Sequence, residues 1–363
     1  MKITAVEAVP VSIPYTHGGP PTGFGGAEWS RMDYLLVRVD TDEGLTGWGE
    51  AFGYNCIPAT KAALDKMVTP LLVGRDPAQV TQLTDELQRT LHLFGRYGVT
   101  LFAISGVDIA LWDLAAKSAG RPLAALLGGA ARTSVPAYAS LLKYRDAGLV
   151  AQIAGQAVAD GFTQVKLHET GDAEIAAARR AIGDDVPLMV DVNCAWSPDE
   201  ALRVAGRLAP YDLHWLEEPV WPPEDFEGLR RVREQAPMPL AAGENACTAF
   251  EFLRLLEVGG VDIVQPSVTK VGGVTEFVKV LHLAAAHNVR VAPHSPYFGP
   301  GLLATLQLLA TRPEIDAVEI FHLKLEQDLF GGAVEVRDGR VPIPTTPGLG
   351  ADPDPDVVAR YRA

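Results

Sequence analysis

The apolar positions change period twice along the chain. Residues 3–14 and 33–40 carry alternating or β-rich runs, and residues 47–51 resume the pattern after a Thr41-Asp42-Glu43-Gly44 turn. Period-two runs closed by such a turn predict an antiparallel meander. Between the first two runs lies His17-Gly18-Gly19-Pro20-Pro21-Thr22-Gly23-Phe24-Gly25-Gly26. So many glycines and prolines cannot hold a regular element, so the stretch reads as a mobile loop, either a lid or a plain connection. Over residues 59–129 the period becomes helical. Residues 107–115 place apolar side chains at helical spacing, Gly120-Arg121-Pro122 supplies a stop, and a second short helix ends at Gly128-Gly129. An α+β unit is expected over residues 1–130.

From residue 134 to 321 short apolar runs alternate with amphipathic ones. The candidate strands are 135–141, 163–168, 187–193, 213–220, 240–245, 261–267, 290–295 and 317–321, with helices such as 200–208 and 250–258 between them. Eight strand–helix repeats predict a parallel (β/α) barrel over residues 131–325. The competing doubly wound sheet requires a phosphate-binding glycine turn after its first strand, and no such turn is present; Gly259-Gly260 and Gly272-Gly273 read as loop glycines. Beyond the last strand come Gly331-Gly332, a strand over 334–336 and a proline-rich tail. Residues 326–363 are expected to return to the first unit. The fold class is thus α/β, a TIM-type barrel with an α+β capping domain completed by the C-terminal tail.

Three of the barrel runs end in a carboxylate: Leu188-Met189-Val190-Asp191, His214-Trp215-Leu216-Glu217 and Leu240-Ala241-Ala242-Gly243-Glu244. Their spacings of 26 and 27 residues equal one strand, one crossover helix and the next strand, which brings all three acids to one rim of the barrel. A strand-end acid taken singly caps the next helix or pairs with a lysine. Three convergent carboxylates repel one another unless a hard cation sits between them, and oxygen-only ligation suits Mg²⁺.

Lys166 and His168 flank Leu167, so on a strand both point to the barrel interior. A buried lysine needs an anion or must lose its proton; Lys166 either pairs with a ligand carboxylate or takes part in the chemistry. His294, in Val291-Ala292-Pro293-His294-Ser295, ends a strand five barrel positions on from His168. Two titratable groups facing each other across a cation can remove a proton from one side of a carbon and deliver one to the other. His17, His92, His214, His282, His287 and His322 read as structural.

Composition narrows the partners. The formal charge of −14 argues against nucleic acid and anionic membranes. The Met1-Lys2-Ile3-Thr4 start has no signal-peptide pattern, and no apolar run is expected to span a bilayer. Cys56, Cys194 and Cys247 are an odd set without metal spacing and read as reduced core thiols of a cytoplasmic protein. A homo-oligomer of even subunit number is expected on symmetry grounds.

The residues that carry a resemblance are Lys166-Leu167-His168, Asp191-Val192-Asn193, Leu216-Glu217-Glu218-Pro219, Gly243-Glu244-Asn245, Val271-Gly272-Gly273 and Ala292-Pro293-His294. Together with the N-terminal loop and the helix around 107–114, they resemble the mandelate racemase and muconate lactonizing enzyme family of the enolase superfamily over nearly the whole length. The resemblance implies that Asp191, Glu217 and Glu244 hold Mg²⁺, with Glu217 rather than Glu218 the ligand of the adjacent pair. It also implies that a substrate carboxylate loses its α-proton to give an enediolate, as this superfamily is known to do. Lys166 and, as a hydrogen-bonding acid, Glu319 would stabilise the developing charge. His168 stands where the family's Lys-x-Lys motif usually places its base.

Two departures bear on the reaction. An imidazole at 168 needs less pKa depression than an ammonium to act as a base near neutrality. Ser267, in Gln265-Pro266-Ser267, stands where mandelate-racemase-like members place an aspartate that orients the strand-seven histidine and muconate-lactonizing-like members place a catalytic lysine; Lys270 matches a lysine that the former group carries without using it as the base. Without the aspartate, His294 suits the role of an acid that protonates a leaving hydroxyl. Dehydration of a sugar acid is therefore expected, with a racemase or epimerase, a lactone cycloisomerase, a metal-assisted aldol cleavage or a catalytically lapsed metal-binding barrel as alternatives. Specificity is expected in loops 17–30 and 52–57, with Tyr15, Phe24, Trp29 or Tyr54 near the substrate.

Overall fold

The computed structural model describes residues 1–23, 28–312, 315 and 317–363. Strands β1 (Ile3–Thr16), β2 (Arg31–Thr41) and β3 (Thr46–Ala51) form the expected antiparallel meander. Its inner face packs on the helix Val99–Ser118, most of whose side chains are buried. The approach is close enough to require glycine: a Cβ on Gly49 would meet the Gly106 carbonyl oxygen inside van der Waals contact. By length and composition alone this helix is apolar enough to cross a bilayer, contrary to the expectation for the sequence; 78% of its apolar window is buried within the fold. Asp108, at mid-helix, accepts hydrogen bonds from Thr84 Oγ1 at 2.8 Å and from the Thr275 N–H at 3.0 Å, tying the cap to a barrel helix, Gly273–Ala286.

Eight parallel strands follow: β4 (Ser134–Ser140), β5 (Val165–Leu167), β6 (Leu188–Asp191), β7 (Leu213–Glu217), β8 (Leu240–Ala242), β9 (Ile263–Val264), β10 (Arg290–Val291) and β11 (Val318–Phe321). Each lies within or beside a predicted run, and most are shorter than it. The curled sheet runs β10-β9-β8-β7-β6-β5-β4-β11. At the seam between β10 and β11 the side chain of Ser295 does the joining: its hydroxyl accepts the Glu319 N–H and donates to the Glu319 carbonyl, both at 3.2 Å. Tyr138, Met189 and Trp215 interleave with Ala241, Ala292 and Ala317 inside the barrel, large against small, to make a dry floor.

The tail departs from expectation in one place. Residues 334–336 form no strand, since Gly331 and Gly332 (φ 59° and 84°) turn the chain there. The pairing segment is instead β13 (Arg340–Pro342), antiparallel to β4, reached through a tight turn at Asp338-Gly339. The preceding β12 (Lys324–Leu325) pairs antiparallel with the end of β1, and Arg362 bridges to Val11.

Candidate active site

The parallel register brings the strand-end acids together. Asp191 is paired with Glu217 across β6 and β7, and one oxygen from each of Asp191, Glu217 and Glu244 lies within 4.8 Å of the others. Asp191 and Glu217 are buried, Glu244 slightly less so. Burial raises Glu217 to about 8 against the pull of Lys166. Three buried oxygen donors of this kind, with mutual repulsion to relieve, fit a hard divalent cation. The neighbouring Glu218 turns away through a left-handed backbone (φ 45°), and its two carboxylate oxygens accept from Asn245 Nδ2, each at 3.0 Å, with the Cys194 thiol donating to Oε2 at 3.6 Å. Burial first, then Glu244 and Asp191, holds it well above the ordinary carboxylate range.

Lys166 is wholly buried above the floor. Its ammonium contacts Glu217 Oε1 and Glu319 Oε1, each at 2.8 Å, and lies 3.8 Å from Asp191. Burial favours the neutral amine, but these carboxylates outweigh it and keep the group charged. Glu319 accepts further bonds from Ser140 Oγ at 2.7 Å and the Ser295 N–H at 3.1 Å. Burial raises the pKa of Glu319, but the adjacent Lys166 ammonium outweighs it and holds the group below the ordinary glutamate value.

The two imidazoles stand just past the ends of separate strands, β5 and β10, and line one cavity. His168 Nδ1 lies 2.5 Å from the Leu141 carbonyl, an acceptor only, which assigns the proton to Nδ1 and leaves Nε2 as the basic nitrogen. Nε2 sits 3.3 Å from Asp191; burial lowers its basicity, and the bond to Asp191 more than restores it. His294 directs Nε2 to Glu244 at 3.0 Å and Nδ1 to Ser267 Oγ and Tyr297 OH, both at 3.2 Å. Two neutral hydroxyls, themselves hydrogen-bonded to each other, occupy the position of a carboxylate partner. Lys270 reaches Asn245 at 3.2 Å and Glu244 at 3.5 Å.

The cavity measures about 580 Å³ and is walled by Trp29, Phe52 and Tyr54 of the cap and by His168, Asn193, Glu244, His294 and Glu319 of the barrel. Trp29 and Tyr54, expected near the substrate, line this cavity. Tyr15 lies behind, its hydroxyl on the Trp29 carbonyl at 3.1 Å, and Phe24 lies outside the described residues. Cys56, read as a core thiol, is half-buried and lines this cavity, while the half-buried Cys194 faces Glu218. Of the other histidines, His17 contacts Tyr144 OH at 3.2 Å and His322 contacts Asp160 at 2.8 Å, both away from the acids.

Sequence reasoning missed Tyr297, Ser295 and Ser140. Ser140 is the last residue of β4, and Ser295 and Tyr297 lie four and six residues beyond β10; only the proximity of Tyr297 to His294 in the chain could have marked one of them.

A barrel whose strand ends converge on an acidic triad, with two imidazoles on the same cavity wall under an α+β cap, is the architecture of enolase-superfamily enzymes. Residues 18–128 match the mandelate racemase / muconate lactonizing enzyme N-terminal domain and residues 149–357 the enolase C-terminal domain-like family. The chain belongs to the mandelate racemase/muconate lactonizing enzyme family of the enolase superfamily. It is 34% identical to a D-galactarolactone cycloisomerase of Agrobacterium fabrum, over 100% of this chain and 99% of that protein. It is 32% identical to a D-gluconate dehydratase of Thermoproteus tenax, over 93% of this chain and 71% of that protein. A crystal structure of a racemase from Streptomyces coelicolor with bound magnesium superposes with a TM-score of 0.89 at 30% identity, covering 99% of this chain and 100% of that one.

Proposed function

We propose that this protein is a Mg²⁺-dependent enzyme that removes the proton α to the carboxylate of a sugar acid, by way of an enediolate, and eliminates a β-hydroxyl. The observation that carries the reading is the placement of His168 and His294 on either side of the triad, both on the wall of one cavity. Asp191, Glu217 and Glu244 would hold the cation, which when bound supplies positive charge beside the substrate carboxylate and acidifies the α-proton. His168 receives that proton at Nε2, since its Nδ1 is committed to Leu141. Lys166 offers a fixed ammonium to the charge that develops, at no cost of reorganisation. His294 delivers a proton from Nε2 to the departing hydroxyl, its Nδ1 supported by Ser267 and Tyr297. Glu319 holds Lys166 in place and becomes a hydrogen-bond donor only when it takes up a proton.

A second reading, cycloisomerisation of a sugar-acid lactone, is favoured by the full-length similarity to the galactarolactone cycloisomerase and uses the same base. A cytoplasmic homo-oligomer of even subunit number completes the proposal, and sedimentation velocity tests the assembly. The chemistry is tested by proton NMR in D₂O with Mg²⁺ and a panel of aldonic acids, aldaric acids and their lactones. Loss of the α-proton signal, abolished by chelator and by His168→Ala, is expected, with a 2-keto-3-deoxy product for dehydration or ring opening for cycloisomerisation. No exchange with any compound would overturn the reading.

A further inference from the structure

The cavity has a cationic end that the proposed chemistry does not use. Lys143 and Arg145, in the loop after β4, line the same cavity as the triad. Strand β4 is the first of the eight and β8, which precedes Glu244, is the fifth, so the two cations stand across the barrel mouth from that ligand. Among the described residues neither the Lys143 ammonium nor the Arg145 guanidinium has a side-chain hydrogen bond or a salt-bridge partner. The undescribed stretch of the nearby loop, Phe24-Gly25-Gly26-Ala27, contains no carboxylate. In a chain of formal charge −14, two unpaired cations on one cavity wall are a departure from the surrounding field.

The loop that carries them is built rather than loose. Glu169, buried at 2% exposure, accepts the N–H groups of Tyr144 and Arg145 at 2.6 and 3.0 Å. That clamp holds Arg145 in a left-handed conformation (φ 57°), which no ordinary loop residue adopts without support. From the other side the cap grips the same turn: Thr22 Oγ1 donates to the Lys143 carbonyl, and His17 stacks on Tyr144 at 5.5 Å while bonding its hydroxyl. Glu169 on the backbone of Tyr144 and Arg145, and the cap loop on Lys143 and Tyr144, fix the backbone of the turn that brings both cations to the cavity wall.

We infer that the cavity takes a substrate with two anionic ends, an aldaric acid or its monolactone, whose far carboxylate is held by Lys143 and Arg145 while the near one meets the triad. The inference rests on the proposed α-proton chemistry for the near end only. A planar guanidinium matches a carboxylate in two parallel bonds and an ammonium adds a point charge. A neutral terminal hydroxymethyl group, as in an aldonic acid, would offer the half-buried Lys143 and the exposed Arg145 no charge to pair with.

The test compares six-carbon aldaric acids of galacto and gluco configuration with the aldonic acids of the same configuration. It measures kcat/KM for α-proton loss and, separately, equilibrium binding by calorimetry to the Mg²⁺-loaded protein. The diacids are expected to bind more tightly and to react with the higher kcat/KM. Lys143→Met and Arg145→Met should each lower the diacid-to-monoacid ratio by about ten- to a hundredfold, the worth of a charge-assisted hydrogen bond, through KM. Arg145→Lys should restore part of the preference. Lys143 is half-buried and Arg145 exposed, and neither makes a side-chain hydrogen bond among the described residues; unchanged circular dichroism and melting temperature confirm that the variants keep their fold. A preference for monoacids, or a ratio unmoved by the substitutions, overturns the inference while leaving α-proton abstraction intact. If no compound exchanges its proton, the proposed chemistry fails and the binding comparison decides the inference alone: equal binding of diacid and monoacid overturns it.

Discussion

The hydroxyl of Tyr297 lies 3.2 Å from Nδ1 of His294 and in hydrogen-bond contact with Ser267. Burial keeps the phenol protonated, so His294 is supported by neutral groups at Nδ1 and by an anion only at Nε2. A carboxylate at Nδ1 would fix one tautomer and strengthen the base; hydroxyls can donate or accept and do neither.

Tyr297→Phe therefore removes one of two supports and is expected to lower kcat by roughly five- to tenfold, the worth of one hydrogen bond, with Mg²⁺ binding retained. Ser267→Asp combined with Tyr297→Phe, which frees the space, should shift the balance from elimination toward exchange at the face served by His294. The stereochemistry of deuterium incorporation, followed by NMR, reads that balance. An unchanged balance would mean that the hydroxyl pair only fills space.

Glu217 and Glu218 are adjacent in the chain and opposite in direction. Glu217 faces the triad and Lys166, whereas Glu218 faces Asn245. Mg²⁺ should raise the melting temperature of the wild type, with about 2.7 kcal/mol of added stability at a hundredfold excess over Kd. Glu217→Gln should abolish most of that shift and Glu218→Gln should keep most of it. Loss of the shift in both variants would show that the pair acts as one ligand.

How much of this was legible follows from what repeats. The triad could be read because Asp191, Glu217 and Glu244 each close an apolar run at the interval of one strand–helix unit, and parallel register then enforces their meeting. Lys166 and His168 were legible from period two. The cation pair was not: Lys143 and Arg145 lie beyond β4, where no periodicity constrains direction, and Arg145 depends on a clamp from Glu169, 24 residues away. The seam at Ser295 and Glu319 was equally hidden, since a side chain replaces a ladder there. The false strand over 334–336 arose because alternating valines outweighed the two preceding glycines in the reading, although in the fold the glycine turn decides.

Glu50, outside the triad, gives a pH signature of its own. It extends from β3 to the start of the helix Pro300–Ala310, where its carboxylate accepts the Gly301 N–H at 2.8 Å. Burial, only partly offset by that bond, raises it from 4.5 to about 8. Across that interval the folded chain keeps a proton that the unfolded chain has released, so this group's contribution makes stability fall as pH rises. Glu50→Gln keeps the acceptor and cannot ionise. Its melting temperature should match the wild type near pH 5 and exceed it by a few degrees near pH 9; parallel melting curves at the two pH values would refute the assignment.

Lys166 links folding to metal binding. Its ammonium is the only cation within 4 Å of Glu217 among the described residues, and it also holds Glu319. Removing one partner of a buried ion pair leaves the other charge desolvated, at a cost of roughly 3–5 kcal/mol. Lys166→Met should therefore be markedly less stable than the wild type in chelator. A divalent cation at the triad would neutralise Glu217 but would leave Glu319 unpaired. Mg²⁺ is thus expected to raise the melting temperature of Lys166→Met by more than it raises that of the wild type, yet without full recovery. Proton exchange should stay abolished even where stability is regained, because the ammonium that faces the developing charge is gone. Equal Mg²⁺ shifts in the two proteins would show that Lys166 and the cation do not share Glu217, and the site as drawn would have to be abandoned.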